Sequence, residues 1–267
     1  QEAEHARLVG ELANSAAPGA RVAARVHAVD HAHFQADMDI IAGGAAGKLC
    51  HIMIPKVESV DDVIFAEKAL QRATDKRVPL HVLIESPAAV QQAFEIAAHP
   101  AVQSISFGLM DFVSAHGGAI PASAMTAQGQ FEHPLVVRAK LEIAAACHAH
   151  GKVPSHCVVT EFKNPEALEA CAQKASRELG YTRMWSIHPD QIRPILRAFS
   201  PAEDEVKQAA QILTAAAVQN WAPMSFGGVL HDRASYRYFW QLLERAHQTG
   251  QALPVDVQPW FALAPTH

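Results

Sequence analysis

Alternation is the feature that most constrains this chain. Short apolar runs, each followed by a longer amphipathic stretch, recur along most of its length. The runs are RVAARVHAV (21–29), CHIMIPK (50–56), LHVLIE (80–85), SISFG (104–108), KVPSHCVV (152–159) and MWSIH (184–188). Their length, and their β-branched and apolar content, predict strands. Helices are predicted over 1–15, 33–45, 58–75, 86–98, 133–150 and 164–178, and after Pro189. Their starts carry the expected chemistry. Ser59 precedes Asp61 and Asp62, acids that suit a helix N-terminus, and proline follows Ser86 and Asn164. Gly43-Gly44 breaks the second helix, and Gly117, Gly118 and Pro121 mark a longer loop. Six strands, each followed by a helix, predict a parallel sheet covered by helices. Neither a GxGxxG nor a GxxxxGK[ST] pattern occurs, so the nucleotide fingerprints of the open α/β folds are missing. A barrel is therefore favoured over a doubly wound sheet.

Length and composition agree. The 267 residues suit one large domain or at most two, and 49% hydrophobic against 18% charged residues provides ample core. The net charge of −5 leaves no electrostatic footprint for nucleic acid or an anionic membrane. No apolar stretch is long enough to span a bilayer, and the first twenty residues do not form a visible signal peptide. Cys50, Cys147, Cys157 and Cys171 form no CxxC pair and are expected to be reduced thiols of a cytoplasmic protein. The 16 histidines show no HExxH spacing and are expected to be mostly solvated side chains in loops and at element ends.

After residue 200 the pattern changes. Ser200-Pro201-Ala202-Glu203 predicts a helix start with Ser200 as cap, and the helix runs to about 219. Residues 224–230, with Gly227-Gly228, suggest a small hairpin or extended arm. Another helix is expected over 233–247, and the tail after Leu253 is expected to loop. The resulting division is a barrel domain over 1–199 and a C-terminal helical arm over 200–267.

In a parallel barrel, chemistry sits at the C-terminal ends of the strands. Glu85 ends one predicted strand, and Asp111 closely follows the next. Two carboxylates at neighbouring strand ends suit Mg²⁺, which takes one or two carboxylates and completes its octahedron with waters and substrate oxygens. Arg25, on the strand over 21–29, has the fork to hold a substrate carboxylate. The competing readings are structural: a lysine partner or a helix cap for Glu85, and a salt bridge for Arg25.

Several ordered segments carry a family resemblance: IMIPKVES (52–59), VLIESPAAV (82–90), SISFGLMDF (104–112), RAKLEIAAACHAHGK (138–152) and SIHPDQI (186–192). Together they resemble the HpcH/HpaI aldolase and citrate lyase β-subunit (CitE-like) family. AFSPAEDEV (198–206) and GGVLHDRASY (227–236) resemble its citrate lyase β-like branch. The resemblance covers residues 20 to about 247. It implies a (β/α)8 TIM barrel with a C-terminal helical arm, using Mg²⁺ to cleave or form a carbon–carbon bond. It matches Glu85 and Asp111 to the metal ligands and Arg25 to the arginine that binds the carboxylate or keto-acid end. Asp232 matches an acid of the arm that reaches a neighbouring subunit's site, and it also stands where it would cap the helix over 233–247. His27 replaces the asparagine usual after the arginine, and His231 replaces an apolar residue.

The implied reaction is a retro-Claisen or aldol cleavage of a 3-hydroxyacyl-CoA such as citryl-CoA or malyl-CoA. Arg25 would fix the carboxylate, Glu85 and Asp111 would hold the metal and the substrate oxygens on it, and Asp232 would protonate the thioester enolate. Lys56 and Glu58 are expected to be structural or to line the site, not to serve as nucleophiles. A cytoplasmic homo-oligomer, trimer or hexamer, is implied. Two alternatives stand beside this: a CoA-independent 2-keto-3-hydroxy acid aldolase, and a degenerate barrel acting as a binding subunit. Two segments usual at the start of the family, an L-F-V-P-G strand and a strand ending in D-L-E-D, find no match. Six strands instead of eight then predict about three-quarters of a barrel, the first two strands and part of the active site being absent from this chain.

Overall fold

The computed structural model describes residues 2–161 and 163–262. The chain divides into two compact units, Gln1–Ile192 and Arg193–His267. The first begins with α1 (Glu2–Asn14), β1 (Val22–Arg25), α2 (Phe34–Asp37), a π turn over Met38–Ala42 and α3 (Gly43–Ala45). There follow β2 (Leu49–Ile54), α4 (Val60–Ala73), β3 (Leu80–Ile84), α5 (Pro87–Gln91), α6 (Ala93–Ala98) and β4 (Val102–Phe107). Then come α7 (Leu109–Ser114), α8 (Pro134–Ala149), β5 (Val153–His156), α9 (Pro165–Arg177) and β6 (Arg183–Met184). All six strands are parallel neighbours in the order β1-β2-β3-β4-β5-β6. The architecture is thus α/β with a curled half-barrel of six strands. Among the described residues the sheet remains open between β1 and β6, so the closed ring of eight expected of the fold class is not formed.

Register explains which residues meet. Ile52 lies beside Leu80, Ile54 beside Val82, Val82 beside Ile105 and Ile84 beside Phe107. These side chains are almost wholly buried, together with Ala66, Ala93, Ile96, Ile143 and Ala146 of the covering helices. Small alanines let helices approach the sheet closely, and large β-branched residues fill the space between. At about 25 cal/mol per Å² of buried apolar surface, this layer is the main stabilising contribution to the unit.

The opposite face is polar, which the apolar reading of the strands did not anticipate. Met53 lies beside His81, His81 beside Ser104, Leu83 beside Ser106, Ser106 beside Ser155, and Ser155 beside Arg183. The two ring nitrogens of the buried His81 bond to Ser104 Oγ at 2.6 Å and Ser106 Oγ at 2.8 Å. The His51 ring stacks on it at 5.1 Å. Burial, then His51 and Arg183, lower the His81 pKa to about 3. Burial, then Arg183 and Arg21, lower His51 to about 4. The expectation of solvated histidines therefore fails at His81, His156 and His231, all buried. At His81 the physical reason is that two serines at matching height satisfy both nitrogens.

Other boundaries also shift. The helix expected over 33–45 contains the π turn, the one over 86–98 is interrupted at Gln92, and α7 occupies residues expected to loop.

In the second unit, α10 (Ile192–Phe199) leads to α11 (Glu203–Val218), the hairpin β7 (Met224–Phe226) and β8 (Val229–His231), α12 (Arg233–Gln248) and α13 (Gln258–Phe261). Ile212, Leu213, Leu243 and Ala246 are fully buried in its core. The hairpin turns through Gly227 and Gly228 at φ 58° and 82°, a pair of positive angles that suits glycine. Ser200 does not cap the next helix. Its hydroxyl donates to the Leu196 carbonyl at 2.7 Å, and α11 begins later, with Ala202 N–H donating to Glu205 Oε2 at 2.8 Å. The tail was expected to loop, but it contains α13; residues 263–267 lie outside the described residues.

A prediction follows from the buried histidine. Because its folded pKa is depressed, the unfolded chain takes up a proton between pH 6.5 and about 3 that the folded chain refuses. Stability should fall as pH drops through that window, and His81→Asn should weaken the dependence. Urea midpoints at successive pH values measure it; equal slopes for the two proteins would overturn the account.

Candidate active site

The carboxyl ends of β1, β3 and β4 bring three of the sequence-predicted residues to one place. Glu85 immediately follows β3 and is only 6% exposed. Its Oε1 accepts a hydrogen bond from the Lys56 backbone N–H at 2.9 Å. That N–H belongs to a residue with φ 52°, directly after Pro55. A lysine in the left-handed region is uncommon, and here the turn delivers a donor to a buried carboxylate.

Gly108 closes the other side. Its N–H donates to the Ile84 carbonyl at 2.8 Å, extending the β3–β4 ladder by one residue. A Cβ on Gly108 would lie 2.5 Å from Glu85 Cβ and 2.6 Å from Glu85 Oε2. The absence of a side chain is therefore what lets the carboxylate occupy this position. Asp111 stands in the first turn of α7, with its side chain 56% exposed and Oδ1 3.8 Å from Lys56 Nζ.

Electrostatics tie the group together. The Glu85 pKa is raised to about 7, first by burial and then by the like charge of Asp111. Lys56, through its N–H and its ammonium, and then Arg25 oppose the rise. Arg25 is exposed at the end of β1 and forms no ion pair with a described residue, so its structural salt-bridge reading finds no partner. The following His27 turns away to another task. Asp37 Oδ2 lies 2.7 Å from its Nδ1 and accepts from its backbone N–H at 2.9 Å.

Asp232 belongs to the second unit. Its Oδ1 accepts from Ala234 N–H at 2.9 Å and Ser235 N–H at 3.4 Å, capping α12. Sequence reasoning singled out the acids and Arg25 but missed the contributions of Gly108 and the Lys56 N–H. The F-G-x-x-D segment held the glycine in plain view; nothing local signalled the Lys56 contact.

The donor set suits a hard divalent cation. One oxygen of Glu85 is already satisfied by an N–H, the other is held beside Gly108, and the neighbouring Asp111 raises the cost of ionising both. A dication between them would relieve that repulsion. Among the described residues no three His, Cys, Asp or Glu side chains are grouped to hold a metal. A two-carboxylate site is compatible with Mg²⁺, which retains waters, and incompatible with a closed structural zinc site.

Comparison with known proteins shows what the chain as a whole is similar to. The family profile described as HpcH/HpaI aldolase/citrate lyase matches residues 5–189. An L-malyl-CoA/beta-methylmalyl-CoA lyase of Rhodobacter capsulatus is 31% identical over 231 residues, covering 80% of this chain and 72% of its own. A citrate lyase subunit beta-like protein of Deinococcus radiodurans is 29% identical over 223 residues, covering 82% and 72%. A crystal structure of a citrate lyase from Burkholderia xenovorans LB400 superposes with a TM-score of 0.85 at 47% identity, covering 98% of this chain and 83% of that one.

Asp111→Asn should lower the Glu85 pKa by removing the like charge, yet leave it above the ordinary carboxylate value because burial, the larger cause, persists. Carboxyl carbon shifts followed through a pH titration report it. An unchanged Glu85 titration would separate the two carboxylates electrostatically and dissolve the site.

Proposed function

The chain belongs to the HpcH/HpaI aldolase/citrate lyase family, and from that premise we propose that it is a magnesium-dependent lyase of a 3-hydroxyacyl-CoA such as citryl-CoA or malyl-CoA. That it is a carbon–carbon lyase is the common character of its named relatives. The observation that carries the finer reading is the convergence of Arg25, Glu85 and Asp111 at the carboxyl ends of β1, β3 and β4, with the Glu85 pKa raised first by burial and then by its carboxylate neighbour. A Mycobacterium tuberculosis CitE structure at 22% identity, TM-score 0.67, is of the same fold and was solved with magnesium, acetoacetate and coenzyme A. In this reading the six strands are the greater part of an eight-stranded barrel, and the enzyme is a cytoplasmic homo-oligomer, trimer or hexamer. No described helix is long and apolar enough to cross a membrane.

Glu85 and Asp111 would hold the magnesium ion. When bound, it supplies Lewis acidity to the hydroxyl that becomes the keto oxygen. Arg25 would bind the adjacent carboxylate through its guanidinium fork and orient the bond to be broken. Lys56 donates its N–H to Oε1 of the buried Glu85 and places a positive charge beside Asp111. In the cleavage the hydroxyl loses its proton to solvent water and the carbon–carbon bond breaks to give the keto acid. Its electron pair passes to the thioester as an enolate. Asp232 of a neighbouring subunit would donate the proton that converts this enolate to the acyl-CoA. Its capping role engages Oδ1 alone, so the second oxygen is free of that duty.

The test is a panel of citryl-CoA, malyl-CoA and methylmalyl-CoA with detection of the released keto acid. Glu85→Gln and Asp111→Asn should each lower kcat by about 100- to 1,000-fold. Turnover of pyruvate with an aldehyde, indifferent to CoA thioesters, would replace this reading with the aldolase one. Gly108→Ala should weaken magnesium binding by about tenfold or more through displacement of Glu85. Calorimetric titration reads that directly, and equal magnesium affinity for wild type and Asp111→Ala would remove the metal from these residues.

A further inference from the structure

A cavity of the first unit lies at the far end of the same strands from the site just described. It holds about 680 Å³ and is framed by the loops that enter β3, β4 and β5, over 74–79, 100–103 and 151–153. From Leu80 to Glu85 the strand rises about 16 Å, so cavity and carboxylates occupy opposite ends of one sheet. Small-molecule sites commonly fall between about 300 and 1,000 Å³, with apolar walls and a few convergent polar groups. This cavity has that make-up. Leu70, Val78 and Val102, all buried, supply apolar surface.

Charge gives the cavity its sign. Lys76, Arg77 and Lys152 line it, against Glu67 and Asp75. Glu67 is drawn toward His99, whose Nε2 lies 3.9 Å from its Oε2. Lys76 and Arg77 form no ion pair with any described residue. Lys152 Nζ donates to the His99 carbonyl at 3.2 Å, a neutral acceptor that leaves its charge unbalanced. Desolvation lowers the Lys152 pKa, as expected of an ammonium drawn partly out of water without a carboxylate to meet it.

We propose that this cavity is a second small-molecule site, taking an organic anion: a carboxylate or phosphate ester on a short apolar body, its charge met by Arg77, Lys76 and Lys152 and its body by the Leu70–Val78–Val102 surface. It is separate from the carboxylate site and independent of the reaction assigned there. A guanidinium and two ammonium groups around one anion give several charge-assisted hydrogen bonds, and apolar contact adds the discrimination against inorganic anions.

Calorimetric titration of the Arg25→Gln protein without magnesium, its front site deprived of the carboxylate-binding fork, tests this with hexanoate, butyl phosphate and inorganic phosphate as probes. One saturable site is expected for hexanoate, butyl phosphate or both, and the two organic probes tell whether carboxylate or phosphate is the preferred head. Arg77→Gln should weaken binding by about tenfold, as loss of one charge-assisted contact does. Lys152→Met should do likewise. Arg77 is exposed, so its variant is expected to keep the wild-type Tm. Failure of both organic probes to bind, binding of inorganic phosphate alone, or unaltered affinity in both cavity variants would overturn the proposal.

Discussion

The hydrogen bond from Gly108 N–H to the Ile84 carbonyl is the contact on which the carboxylate site depends. It carries the β3–β4 ladder one residue past the last paired side chains and sets Gly108 against Glu85. From there the chain turns into α7, and the first turn of that helix carries Asp111. The ladder thus converts two separate segments into a pair of carboxylates at one end of a rigid sheet. A loop holding the same residues would order them less well, because each backbone fixed costs about 1–2 kcal/mol of conformational entropy.

The same sheet separates two kinds of chemistry by face. Towards the helices it presents Ile52, Ile54, Val82, Ile84, Ile105 and Phe107, close-packed and dry. On the other face stand His51, His81, the serines of β4 and β5, and Arg183. Burial keeps both histidines neutral at ordinary pH, with ring nitrogens of His81 satisfied by hydroxyls. Arg183 is lowered by the same desolvation and by Arg21. This polar face leads up to Glu85, where desolvation acts in the opposite direction on an acid and raises it. One physical cause, burial of ionisable groups along the curled sheet, accounts for both directions.

Much of the site was legible in the chain because its signals are local. L-I-E-S and F-G-x-x-D put an acid at a strand end and just beyond another, and A-R-V-H put Arg25 on a strand. The missed contributors are long-range. Lys56 N–H reaches Glu85 across 29 residues of sequence, and the contact needs a left-handed φ that no residue type there announces. Asp232 could be read as a cap from its place before a helical stretch, and α12 begins there. Ser200 read the same way by composition, but its hydroxyl closes α10 and the chain starts α11 with Glu205 reaching back to Ala202. Capping residues look alike in sequence; which N–H each one meets depends on where the preceding helix stops.

The sequence by itself determined the alternation of strands and helices, their order, and the family to which the chain belongs, because hydrophobic period and short motifs are properties of neighbouring residues. Only the tertiary structure decided which face of each strand would be polar, that the six described strands form an open curled sheet, and that a carboxylate would nest where a glycine has no side chain. It alone placed a cation-lined cavity at the sheet's opposite end. These features depend on register between strands tens of residues apart, and a parallel register is set by the packing of the whole sheet rather than by any segment within it.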